Sequence, residues 1–257
     1  MFDDLQIKLS LNKQTYLKSA TLRFYNEKDS LIPAEKYLFD KYVSFGSKVL
    51  DIGVGAGRTT GYLKDRSGSY FSIDLYGEMV DLVKVKFQDV FCEQANAVDL
   101  SLFADEAFDI VIFSFNGFDE ILDEFDRQSC INEIYRVLRS DGIFIFSSHN
   151  ASQLIFNPIL HNAPKSKVIW RIVYSLLRSV GILFKKRLGF RYTKSGLYKS
   201  SVHGGLIHYA STLDDMKSFL TRNKFKVNEI IGFNWPSKLL NIAEPAFYYV
   251  AKKNSSN

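Results

Sequence analysis

Cysteine is nearly absent. The 257 residues hold two, Cys92 and Cys130, too few for a disulfide framework and without the paired spacing of a zinc site. Reduced thiols in a cytoplasmic protein are the expectation, with no structural metal. No uncharged apolar run reaches the roughly 18–20 residues that a bilayer span needs. The opening Met-Phe-Asp-Asp-Leu-Gln is acidic where a secretory leader would be basic and then apolar. Internal repeats and low-complexity segments are also missing. One absence is local: 142–213 contains no Asp or Glu, yet carries Lys165, Lys167, Arg171, Arg178, Lys185, Lys186, Arg187, Arg191, Lys194 and Lys199. Without that window the formal net charge of +5 becomes −5. The basicity therefore belongs to one segment, which suggests a local anionic partner.

What is present suits one α/β domain over 1–257, long enough to bury a sizeable core. Within it, 1–32 reads as an N-terminal cap and 148–210 as a basic, aromatic insertion. Pro33 opens a helix whose apolar face is Ala34, Tyr37, Leu38 and Tyr42. From residue 48 short apolar strands alternate with helices. Strands are expected at 48–52, 69–73, 90–94, 108–113 and 143–146, with helices at 58–64, 77–87 and 129–138, and a turn at Ser140-Asp141-Gly142. After the insertion the rhythm resumes with a helix capped by Thr212. Two strands, 225–232 and 246–251, follow as an antiparallel pair. This alternation predicts a doubly wound, mostly parallel sheet with helices on both faces.

The chemistry gathers at Val49-Leu50-Asp51-Ile52-Gly53-Val54-Gly55-Ala56-Gly57-Arg58. A strand runs into three glycines at alternate positions and then a helix. Glycine permits positive φ and close backbone approach, and a helix start presents free N–H groups. The bland alternative is a tight turn with no ligand. Asp74, ending the next strand, stands about twenty residues on, where a ribose would offer its hydroxyls. The third glycine arrives one residue too early for the dinucleotide pattern. Asp51 would repel a diphosphate and suit a cationic ligand end.

These residues resemble the class I S-adenosylmethionine-dependent methyltransferases. The glycine motif matches nearly position for position. Ile73-Asp74, Asn96-Ala97, Phe108-Asp109-Ile110-Val111 and the block from Glu133 to Gly142 follow in the family's order. The resemblance implies S-adenosylmethionine as cofactor and a seven-stranded sheet with an antiparallel last strand. It places Asp51, Gly53, Gly55 and Gly57 at the methionine portion, Asp74 at the ribose, and Asn96 and Ala97 at the adenine. Arg58, Leu75, Ser114 and Phe115 complete the cofactor-binding candidates.

Methyl transfer chiefly requires an acceptor lone pair held in line, and a hydroxyl acceptor gains from a base. The loops after the fourth and fifth strands supply the candidates. His149 is the first choice, by position and because histidine titrates near neutrality; a capping or surface histidine is the alternative. His203 and His208 come next, and Asn116 is a candidate for orienting substrate. The Asn-Pro-Pro-Tyr signature of amide and nucleobase methylators is absent, so nucleic acid is not the expected partner. The expected acceptor is a small molecule or glycan, with a hydroxyl as the methylated group, beneath the insertion as lid. Residues 167–184 read as an amphipathic helix with a basic stripe. This makes peripheral membrane contact through 165–199, with a lipid or quinone acceptor, the alternative reading. A cofactor-binding protein without catalysis is the third.

Overall fold

A computed structural model describes residues 2–18, 30–152, 195–199, 206–237 and 244–254, with isolated positions 21, 23 and 27. Helix α1 spans Phe2–Tyr16 and α2 spans Pro33–Tyr42. Then β1 (Lys48–Ile52), α3 (Thr60–Arg66), β2 (Ser69–Asp74), α4 (Gly77–Lys86), β3 (Phe91–Gln94) and β4 (Phe108–Phe113) alternate. A short 3₁₀ turn (Gly117–Glu120) leads to α5 (Glu124–Val137) and β5 (Leu138–His149). Strands β6 (Gly196–Lys199) and β7 (Ile207–Ala210) form a separate hairpin. Helix α6 (Leu213–Arg222), β8 (Phe225–Gly232) and β9 (Ala246–Lys253) complete the chain.

The main sheet has seven strands in the order β3-β2-β1-β4-β5-β9-β8. Strands β1 to β5 pair in parallel, and β9 runs antiparallel to both of its neighbours. Doubly wound topology with a reversed terminal strand is therefore observed. The side-chain period of two sorts the core. Leu50, Ile52, Val111, Phe113, Phe144, Phe146, Phe247 and Tyr249 pack on one face with Ile131, Ile134 and Leu220. Val49, Ile110, Ile112, Ile145, Tyr248 and Val250 pack on the other with Ala34, Leu38 and Phe39. Both faces are covered, which is why these strands read as continuous apolar runs.

Three local features depart from the sequence-based expectations. Residues 2–16 form a full helix. Helix α5 starts five residues before the expected position because Asp123 caps it, accepting from the Phe125 and Asp126 N–H groups at 2.8 and 3.2 Å. The Ser140-Asp141-Gly142 turn is a bulge inside β5, with Asp141 at φ 65° and a register shift against β4. The expected helix over 167–184 and most of the basic 165–199 stretch lie outside the described residues. The described end of the insertion is the β6–β7 hairpin.

Candidate active site

The site is built at the carboxyl end of the parallel strands, where open α/β sheets bind ligands. After β1, Gly53, Gly55 and Gly57 take φ values of 64°, 57° and 84°, a region in which a Cβ is strained. Asp74 closes this turn from the end of β2. Its Oδ2 accepts the Gly55 N–H at 2.8 Å and its Oδ1 accepts the Tyr76 N–H at 3.0 Å. Burial raises the Asp74 carboxyl above its ordinary range, against those backbone donors.

A cavity of about 190 Å³ opens in front of the turn. Of the cofactor candidates read from the sequence, it brings together Gly53, Gly55, Asp74, Leu75, Asn96, Ala97, Ser114 and Phe115. Met79 and Phe113 add apolar wall. At Gly55, which lines the cavity, an added Cβ would meet nothing within 4 Å. At Gly53 it would stand 2.8 Å from the Phe113 ring.

Three cofactor candidates are placed elsewhere. Asp51 is buried beneath the turn, where its Oδ2 accepts from the Thr59 and Tyr70 hydroxyls at 2.5 and 2.9 Å. Burial pushes its carboxyl up to about 6. It is not among the cavity-lining residues, and its hydrogen bonds tie the turn to α3 and β2. Gly57 packs against Val83 and Phe87. Arg58 turns back to form a two-pronged ion pair with buried Glu35, at 2.5 and 2.6 Å, and lies over the Phe115 ring at 4.8 Å. Glu35 also accepts from Ser114 Oγ and Tyr248 OH. One carboxylate thus ties α2, the glycine turn, β4 and β9 together. Burial raises the Glu35 carboxyl, but Arg58, Tyr248 and Ser114 jointly outweigh it and hold the group below its ordinary value.

The catalytic candidates form their own cluster. Phe115 and Asn116 both adopt left-handed φ, 54° and 64°, uncommon for non-glycine residues. Asn116 donates its N–H to Ser147 Oγ at 2.7 Å, and its Nδ2 stands 3.2 Å from His149 Nε2. His149 Nδ1 lies 2.7 Å from Oδ2 of buried Asp119. The consistent assignment puts the ring proton on Nδ1, facing Asp119, and leaves Nε2 to accept from Asn116. His208 stacks on His149 with ring centroids 4.0 Å apart. None of Asn116, His149 and His208 lines the cavity, and His203 lies outside the described residues. The histidine lone pair expected to act as base is already engaged.

Other polar groups reach the cavity instead. Glu120, next to Asp119, lines it together with Asn12 and Tyr16 of α1. Asn12 Nδ2 donates to Glu120 Oε2 at 3.3 Å and to the Ile207 carbonyl at 2.5 Å, while its Oδ1 accepts the Ile207 N–H at 3.0 Å. Tyr16 also hydrogen-bonds Glu120. Burial pushes the Glu120 carboxyl up to about 7, although His149, Tyr16 and Asn12 oppose the rise. The sequence signal for α1 was a weak stripe, Leu5, Leu9, Asn12 and Tyr16, interrupted by the polar Asn12. Among the described residues no cluster of His, Cys, Asp and Glu is arranged to hold a metal ion. No helix among them is long and apolar enough to cross a membrane.

A family described as "Methyltransferase domain" matches residues 50–146, from β1 to β5. An uncharacterized methyltransferase of Schizosaccharomyces pombe is 30% identical over 109 residues, covering 42% of this chain and 41% of that protein. One from Synechocystis is 27% identical over 160 residues, covering 61% and 72%. The chain spans about two fifths of the length of the first curated relatives it matches, 41% and 36%. Among solved structures, a SAM-dependent methyltransferase of Methanosarcina mazei superposes with a TM-score of 0.60 at 19% identity, covering 88% of this chain and 100% of that one. The 1,6-didemethyltoxoflavin-N1-methyltransferase of Burkholderia thailandensis, solved with its substrate and S-adenosylhomocysteine, gives 0.63 at 15% identity, covering 99% and 90%. At such identities the structural likeness speaks for the fold. The matched domain marks β1 to β5 as methyltransferase-like, and the chain as a whole shares the fold of solved S-adenosylmethionine-dependent methyltransferases.

Proposed function

We propose that this protein transfers a methyl group from S-adenosylmethionine to a hydroxyl of a small-molecule or glycan acceptor. The observation that carries the reading is the cavity at the β1–β2 edge, where bare glycine backbone, the buried Asp74 carboxylate and the Asn96–Ala97 backbone converge on one space. These residues fit the cofactor. Gly53 and Gly55 allow the methionine portion close to the backbone. Asp74 keeps acceptor capacity beyond its backbone donors Gly55, Leu75 and Tyr76, to be met by ribose hydroxyls. Asn96 and Ala97 border the place for the adenine, and Leu75 and Met79 give it apolar contact. When bound, the cofactor supplies a methyl group already activated by its sulfonium.

The chain's own work is then orientation and exclusion of water. Phe113 and Phe115 wall the cavity, α1 covers it, and the 148–210 insertion is the proposed acceptor lid. Incubation of the full chain with S-adenosylmethionine labelled in its methyl group, against a panel of phenols, sugars, quinols, amines and nitrogen heterocycles, tests the proposal. Label is expected in an oxygen-linked methyl of at least one panel member. Saturable cofactor binding with no label transferred across the panel would favour a binding protein without catalysis. Transfer only to nitrogen acceptors would overturn the hydroxyl assignment.

A further inference from the structure

We infer that Glu120 is the carboxylate that complements the positive sulfonium of the cofactor, held in place for that purpose by Asn12 and Tyr16. This rests on the S-adenosylmethionine reading of the cavity and assigns the charge-complementing role to a residue that lines it, which Asp51 does not. Asp51 is enclosed by Thr59 and Tyr70. Among the described residues the cavity lining contains two carboxylates, Asp74 and Glu120, and no Lys, Arg or His. Asp74 directs both oxygens to the backbone of Gly55 and Tyr76. Glu120 has the neutral donors Asn12 and Tyr16, and no lysine or arginine is paired with it among the described residues.

Its surroundings favour a soft cation. Tyr16 and Tyr76 approach with ring centroids 5.8 Å apart, and Phe113 and Phe115 also line the cavity. Aromatic faces attract a weakly hydrated cation. An ionised carboxylate in such a wall is costly until a positive charge arrives. The ionisable groups that face Glu120 are Tyr16 from α1, Tyr76 before α4, neighbouring Asp119, His149 from β5 and Asp74 across the cavity. Of these, neighbouring Asp119 disfavours the anion.

The consequence is discrimination between cofactor and product. Methyl transfer converts the sulfonium to a neutral thioether, so the attraction to Glu120 ends with the reaction and S-adenosylhomocysteine is released more readily. Because burial among these groups raises the Glu120 carboxyl to about 7, capture of the cation draws on the ionised fraction and releases a proton.

Calorimetry on the full chain with S-adenosylmethionine and S-adenosylhomocysteine, at pH 6 and 7.5 and in two buffers of different ionisation enthalpy, tests this. For the wild type, S-adenosylmethionine should bind roughly eightfold more tightly at pH 7.5, as the competent fraction rises. S-adenosylhomocysteine should change by less than about twofold, and proton release should accompany only the cation. Glu120→Gln should abolish the pH dependence, the proton release and the preference for the cation, while still binding S-adenosylhomocysteine. Tyr16→Phe, a milder change, should move the midpoint of the pH dependence upward. Saturable wild-type binding of both ligands without pH dependence overturns the Glu120 assignment alone. So does equal loss of both ligands in a folded Glu120→Gln protein. Binding of neither ligand by the wild type overturns the cofactor reading itself, and this inference with it.

Discussion

At the scale of single residues, the glycines separate shape from ligand contact. A Cβ on Gly117 would lie 2.3 Å from the Phe113 ring, and one on Gly53 at 2.8 Å with φ at 64°. Gly117→Ala and Gly53→Ala should therefore cost about 1–3 kcal/mol in denaturant unfolding, by overpacking and, at Gly53, backbone strain. Gly55→Ala meets no protein atom within 4 Å and carries only its φ of 57° as a penalty, about 1–2 kcal/mol. It should nevertheless weaken S-adenosylhomocysteine binding by roughly tenfold or more, about 1.4 kcal/mol, because the added methyl projects into the ligand's space. A Gly55→Ala protein that binds the ligand like the wild type would place the cofactor elsewhere. The glycine turn and Asp74 could be read from sequence because both answer local demands: positive φ after a strand, and a carboxylate at the next strand's end. Asp51 and Arg58 could not be read so. Their partners are chosen by packing, and Glu35 lies 23 residues from Arg58 and 213 from Tyr248.

At the scale of elements, α1 is the part of the site that sequence periodicity conceals. Its Asn12 acts as a backbone surrogate for β7, donating to and accepting from Ile207, and it reaches Glu120 across 108 positions. A polar residue in an apolar stripe weakens the helical pattern, yet here it is the latch that seats the helix. Asn12→Ala should leave the Ile207 N–H and carbonyl unpaired on that side, at a cost of about 1–3 kcal/mol. Hydrogen exchange should show faster exchange throughout 5–16, with β1 to β5 unchanged. Protection of α1 equal to wild type would show that its apolar contacts alone hold it. The His149–Asp119–Asn116 cluster teaches the converse. A histidine at a strand's carboxyl edge reads as a base, but here a buried carboxylate and an amide take both ring nitrogens. Its stacking on His208 then ties the end of β5 to the hairpin.

At the scale of the whole molecule, the alternating strands and helices fixed most of the architecture in advance. Strands buried on both faces have to be apolar runs, and right-handed crossovers leave few topologies. Less visible were features that depend on distant partners, namely the β6–β7 hairpin, the bulge in β5 and the cover supplied by α1. The negative character of the cavity is one of these. It arises from Asp74 at the end of β2 and Glu120 in the 3₁₀ turn after β4, in a chain whose net charge is positive. The central claim is that this cavity holds S-adenosylmethionine with Asp74 on the ribose. Titration calorimetry of S-adenosylhomocysteine into the wild type and Asp74→Ala tests it most directly. Saturable one-to-one binding by the wild type is expected, with at least a roughly tenfold loss, about 1.4 kcal/mol, in the folded variant. No wild-type binding at millimolar ligand, or unchanged affinity in Asp74→Ala, would contradict it.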